Sequence, residues 1–143
     1  MTWVTWKGVR IDRIACAWLI RRFLDPAAAF RFIDPYAPLP PDATPFDIPG
    51  VPFSHHGGAA SFRALCVAHG LDEDPLLRLA GIVDAADAAG DPALFPEAAG
   101  LDAVCSTLAA VAGSDEEALR VGAVLFEALY AAVGAGQRAE GGA

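Results

Sequence analysis

From Asp12 to Leu24 the chain has no glycine or proline, and Asp25-Pro26 supplies a stop directly afterwards. On a helix drawn over this run, Ile11, Ala15, Trp18 and Leu19 fall on one side, and Ala17, Ile20 and Leu24 on others. A helix apolar nearly all round must be packed on more than one face, so the remaining elements have to enclose it. A chain of 143 residues is long enough for one such core and too short for two ordinary domains. Its 55% hydrophobic and 20% charged residues exclude a disordered, collagen-like or disulfide-rich miniature chain.

Around that helix the sequence predicts a small sheet and further helices. Trp3–Trp6 has the aromatic and β-branched content of a short strand, and Ala29–Asp34 reads as a second. The seven prolines from Pro35 to Pro52 allow neither a helix nor a central strand, so this stretch is expected as a loop over the body. Phe53-Ser54-His55 is expected to re-enter the sheet before the Gly57-Gly58 turn. Ser61 then caps a short helix with Phe62, Leu65, Cys66 and His69 on one stripe. Asp74-Pro75, Pro96-Glu97 and the capping box Ser114-Asp115-Glu116-Glu117 open three more. The expected architecture is α+β, a three-stranded sheet from the N-terminal third covered by about five helices. One domain is expected over residues 1–133, with a flexible Gly- and Ala-rich tail over 134–143.

The net charge of −8 divides unevenly. Residues 1–31 hold six basic and two acidic side chains, whereas residues 32–143 hold four basic and sixteen acidic ones. So acidic a remainder repels phosphate backbones, which argues against nucleic acid as a partner of this domain alone. Cys16, Cys66 and Cys105 form no CxxC pair, which fits a reducing compartment. The start of the chain lacks the plan of a signal peptide, and the apolar run Ile14–Ile20 is too short to span a bilayer. A soluble cytoplasmic protein with no membrane partner is expected. Apolar helix faces leave a homodimer open.

Two sets of residues stand out as chemistry. Arg13 and Arg21, with Ala17 between them, lie at i, i+4 and i+8 and present two guanidinium groups suited to a small oxyanion. Ion pairing with the acidic remainder is the commoner fate of such arginines. Extending the Leu76, Ala80, Val83 stripe lands on Asp87, with Asp84 one turn earlier, and a carboxylate there needs an arginine or a metal. His55 and His56 sit together near a turn, and only one of two adjacent strand residues can face a common site. His55 with Asp84, Asp87 and Glu97 makes a nitrogen-and-oxygen set suited to Mn, Fe or Zn. His69 is expected to bond the last carbonyls of its helix, and Cys16 to be a core thiol. No dinucleotide or phosphate-loop fingerprint is present, so no nucleotide cofactor is expected.

The segment Ile11-Asp12-Arg13-Ile14-Ala15-Cys16-Ala17-Trp18-Leu19-Ile20-Arg21-Arg22-Phe23-Leu24-Asp25-Pro26 closely resembles the opening of the ChrB C-terminal domain family of chromate-resistance proteins. Further matches follow in order, through Pro45-Phe46-Asp47-Ile48-Pro49-Gly50, Phe53-Ser54-His55 to Ser61-Phe62, Gly70-Leu71 to Asp74-Pro75, Ile82-Val83 to Asp87, Pro96-Glu97-Ala98-Ala99-Gly100-Leu101 and Ala128-Leu129-Tyr130. The resemblance implies a domain encoded with chromate-efflux systems, often the C-terminal half of a longer sensor that regulates the transporter. That half is expected to stand alone here. In the family pattern a Glu usually follows the Phe matched by Phe62, and a His often stands at the position of Asp84, where this chain has Arg63 and Asp84. Arg63 adds a cation near the histidine pair and would favour an anion there, with His56 beside it. The expected function is a chromate-resistance accessory or sensing domain that binds an oxyanion such as chromate, a divalent metal, or both. The alternative is a small Mn- or Fe-dependent enzyme using the His and carboxylate set.

Overall fold

The structure is a computed structural model that describes residues 1–141, with side chains through 137. Strand β1 (Thr2–Trp6) leads into helix α1 (Ile11–Leu19), which continues as a π-helical turn over Ile20–Leu24 and returns through β2 (Ala29–Ile33). A two-residue strand β3 (Thr44–Pro45) follows, and then α2 (Ser61–Ala68), α3 (Asp74–Asp87), α4 (Glu97–Ala112) and α5 (Asp115–Gly141). The sheet order is β2-β1-β3, with both outer strands parallel to β1. Parallel pairing follows from the helical crossover between β1 and β2, since parallel neighbours cannot be joined by a tight turn.

The expected α+β architecture is present, with its third strand elsewhere. Thr44–Pro45 takes the free edge of β1, and the expected Phe53–His55 strand lies outside the sheet. An edge strand tolerates proline because its missing N–H is not needed on the outer side. Phe46 N–H, one residue on, still donates to Val4 O at 3.0 Å.

Helix α1 is the centre of the molecule. Eight of its nine residues are buried, and it packs against α2, α3, α4 and α5. Gly122 of α5 lets the two helices pack closely, because a Cβ there would collide with the Ile14 side chain. Trp18 stacks on Phe62 and Phe126, joining α2 and α5 to the same core. The π turn closes with Asp25 N–H donating to Ile20 O at 2.7 Å, just before Pro26. Asp115 at the start of α5 accepts from Gly8 N–H at 3.0 Å and Val9 N–H at 2.9 Å, which fixes the entry to α1.

Helix α5 runs on through the Gly- and Ala-rich segment expected as a tail, to Gly141. Over Asp115–Gln137 it is long and apolar enough to cross a bilayer by length and composition, yet it packs on α1, α3 and α4. Ser114 Oγ accepts from Glu117 N–H at 3.1 Å, as the capping box predicts. His69 Nδ1 bonds Leu65 O at 2.9 Å, and all three cysteines are free and buried.

Candidate functional site

The first turn of α1 carries Asp12, and its side chain is 1% exposed. It does not cap its own helix, whose N-cap is Arg10 with no side-chain bond. Its carboxylate reaches instead to the start of α2, accepting from Ser61 N–H at 2.8 Å and Phe62 N–H at 3.0 Å. The first N–H groups of any helix lack intrahelical partners and favour an anion, so a carboxylate from another helix satisfies them. The Cys16 thiol donates to the same group at 3.5 Å, and the last partner is His55 Nε2 at 2.9 Å.

His55 Nε2 is the point on which the acidic side chains converge. Besides Asp12, it lies 3.4 Å from Asp87 Oδ2 and 3.6 Å from Asp47 Oδ1. Asp47 sits in the proline-rich loop at φ +51°, a left-handed conformation that aspartate tolerates better than most residues. It is held by Ser61 Oγ–H at 2.6 Å and by Arg13, whose Nε lies 3.2 Å from Oδ2 and whose Nη2 donates to Asp47 O at 3.0 Å. Arg13 also donates to Thr5 Oγ1 of β1 at 3.1 Å. Asp12, Arg13, Asp47, His55 and Asp87 line a cavity of about 500 Å³ with Trp6, Arg10, Ile48, Pro49 and Gly50.

The electrostatics follow from this crowding. The hydrogen bond to Asp12, with the added charges of Asp47 and Asp87, pushes the His55 imidazole up to about 9. Burial and the Asp12 charge push Asp47 up to about 7, and the same two causes raise Asp87. Burial works against ionised Asp12, but the hydrogen bonds from His55, Ser61 and Phe62 outweigh it and hold its carboxyl below the ordinary range. One imidazolium thus serves three carboxylates.

Asp12, His55 and Asp87 each offer a ligand atom within 4.8 Å of the others. Of the metal set expected from sequence, His55 and Asp87 are therefore brought together, while Asp84 and Glu97 are held elsewhere. Asp84 is buried and accepts from Ala60 N–H at 2.8 Å and Arg63 Nε at 2.6 Å, while Glu97 pairs with Arg78 at 3.2 Å beside a different cavity. The expected pair Arg13 and Arg21 is separated as well. Arg21 lies in the π turn, donates twice to Ala28 O and stacks over Phe30, lining a groove between α1 and α5. His56 and Arg63 share a shallow cavity of about 290 Å³, where His56 Nε2 bonds Pro52 O at 2.8 Å.

Asp12 and Asp47 are the site residues missing from the sequence-derived set. Asp12 had a detectable signal, since it falls on the same helical face as Cys16 and Leu19, where a carboxylate has no place unless something binds it. Asp47 had none beyond the family block in which it lies.

Sheet, central helix and acidic cavity define a small α+β domain with a histidine–carboxylate centre. The chain belongs to the ChrB C-terminal domain family, whose model matches residues 3–133. It is 38% identical over 129 residues to Protein ChrB of Cupriavidus metallidurans, an alignment that covers 90% of this chain and 39% of that protein's length. No solved structure matches.

Proposed function

We propose that this domain serves chromate resistance as an accessory or sensing module that holds a divalent metal ion between Asp12, His55 and Asp87. The observation that carries this reading is the convergence of three ligand atoms, one nitrogen and two carboxylate oxygens, at one end of the cavity. Metal–ligand bonds of roughly 2.0–2.2 Å put ligand atoms about 3 to 3.5 Å apart around one ion. The separations of 2.9 and 3.4 Å from His55 Nε2 to the Asp12 and Asp87 oxygens fall at that spacing. In this arrangement the imidazolium proton takes the place of the ion, and metal entry would displace it. The donor set suits Mn, Fe or Zn, and a bound ion would supply a Lewis-acid centre with positions left for a ligand.

An oxyanion held by protein groups alone has weaker support. The Arg13 guanidinium is engaged by Thr5 and Asp47, Arg21 lines a different cavity, and three carboxylates surround His55. Titration of the chelator-stripped chain with Mn²⁺, Fe²⁺ and Zn²⁺, followed by elemental analysis, tests the proposal. One ion per chain is expected for the wild type, with affinity at least about tenfold lower in His55→Gln, whose side chain is 44% exposed. Absence of stoichiometric binding by all three metals would overturn it.

A further inference from the structure

A cavity of about 500 Å³ is far larger than a metal ion and its waters need, each water taking about 30 Å³. It falls in the range typical of small-molecule sites, about 300–1,000 Å³. Its walls divide into two kinds. Asp12, His55 and Asp87 stand at one end, and Trp6, Ile48, Pro49 and Gly50 supply an apolar wall. Arg10 completes the lining, and it differs from Arg13 in one respect. Among the described residues no hydrogen bond or ion pair engages the Arg10 guanidinium, whereas Arg13 is held by both Thr5 and Asp47. Arg10 and Asp87 line the same cavity, which puts a free cation in the chamber that holds the metal ligands.

Resting on the metal reading above, we propose that this cavity takes a small organic carboxylate, its carboxylate bound to the metal and paired with Arg10, its hydrocarbon part against Ile48, Pro49 and Trp6. Three protein ligands leave coordination positions open to such a group. A guanidinium presents a donor fork matched to a carboxylate. The apolar wall is what separates this ligand from an inorganic oxyanion, which would leave that surface in contact with water.

The test uses the whole chain loaded with Mn²⁺, with butyrate and sulfate as probes and calorimetry and water-proton relaxation as readouts. Butyrate is expected to bind the Mn-loaded chain at least about tenfold more tightly than the metal-free chain and to displace water from the ion. Arg10→Met, at an exposed position, is expected to keep one Mn²⁺ per chain with affinity no weaker than the wild type's, and to weaken butyrate by about tenfold, the scale of one charge-assisted hydrogen bond. Sulfate is expected to bind more weakly than butyrate. Normal Mn²⁺ binding with no butyrate effect, or with equal butyrate affinity in Arg10→Met, would overturn this inference alone. Sulfate binding as tightly as butyrate would overturn the organic ligand in favour of an oxyanion. Failure of Mn²⁺ itself to bind would overturn both this inference and the metal reading beneath it.

Discussion

Asp12 of α1 and Asp84 of α3 perform the same service for α2 and end in different electrostatic states. Both are buried, and between them they accept the N–H groups of Ala60, Ser61 and Phe62. Asp84 then meets Arg63 at 2.6 Å, a permanent cation on the helix it caps. Asp12 meets His55, a weaker and titratable cation shared with Asp47 and Asp87 at the wall of a cavity. A buried carboxylate by itself therefore does not mark a site. What separates the two is whether a permanent cation closes the group off or an exchangeable one leaves it open.

Removing each carboxylate in turn is the strongest way to break this comparison. Asp12→Ala leaves two buried N–H groups of α2, the Cys16 thiol and His55 without their shared acceptor and is expected to cost about 3 kcal/mol or more in urea unfolding, with complete loss of metal binding. Asp84→Ala is expected to cost about 1–3 kcal/mol through an unsatisfied N–H and an unpaired Arg63, with metal affinity unchanged. Equal loss of metal binding in both variants would erase the distinction between closed and open carboxylates.

Asp87 sharpens it with a smaller structural effect, because its side chain is 39% exposed and caps nothing. Asp87→Asn is expected to shift stability by no more than about 0.5 kcal/mol, as at other exposed sites, while lowering metal affinity at least about tenfold. A variant that binds metal normally would remove Asp87 from the ligand set.

The smallest effect is in pH dependence. His55 is held at about 9 in the folded chain against an ordinary 6.5, so its stabilising contribution is complete below 6.5 and is lost as pH rises through 9. Metal-free protein should melt at progressively lower temperature across that window, and His55→Gln should flatten the profile. Asp84 pairs with Arg63 and not with His55, so Asp84→Ala should leave the slope intact.

Much of this was legible in the sequence, for reasons that differ residue by residue. The central helix was readable because an all-round apolar run has few places to go, and the capping box at Ser114 because its chemistry is local. His55 and Asp87 were readable as polar residues with no local task. Asp12 was concealed by its position, since an aspartate beside a helix start looks like that helix's own cap. Only tertiary packing shows that it caps α2 instead. Asp84 misled in the opposite direction. Its stripe places it close to Asp87, but near the end of α3 the two side chains part, one to Arg63 and the other to the cavity. The third strand was hidden because β1 accepts a two-residue edge partner from a segment whose prolines argue against strand.

The central claim is that His55 ligates a metal ion held by Asp12 and Asp87. Electron spin echo envelope modulation of the Mn²⁺-loaded chain tests it most directly, by detecting nitrogen bonded to the ion. The wild type should show modulation from a single imidazole that disappears in His55→Gln and persists in His56→Gln. Mn²⁺ bound without nitrogen modulation, or modulation that survives in His55→Gln, would contradict it.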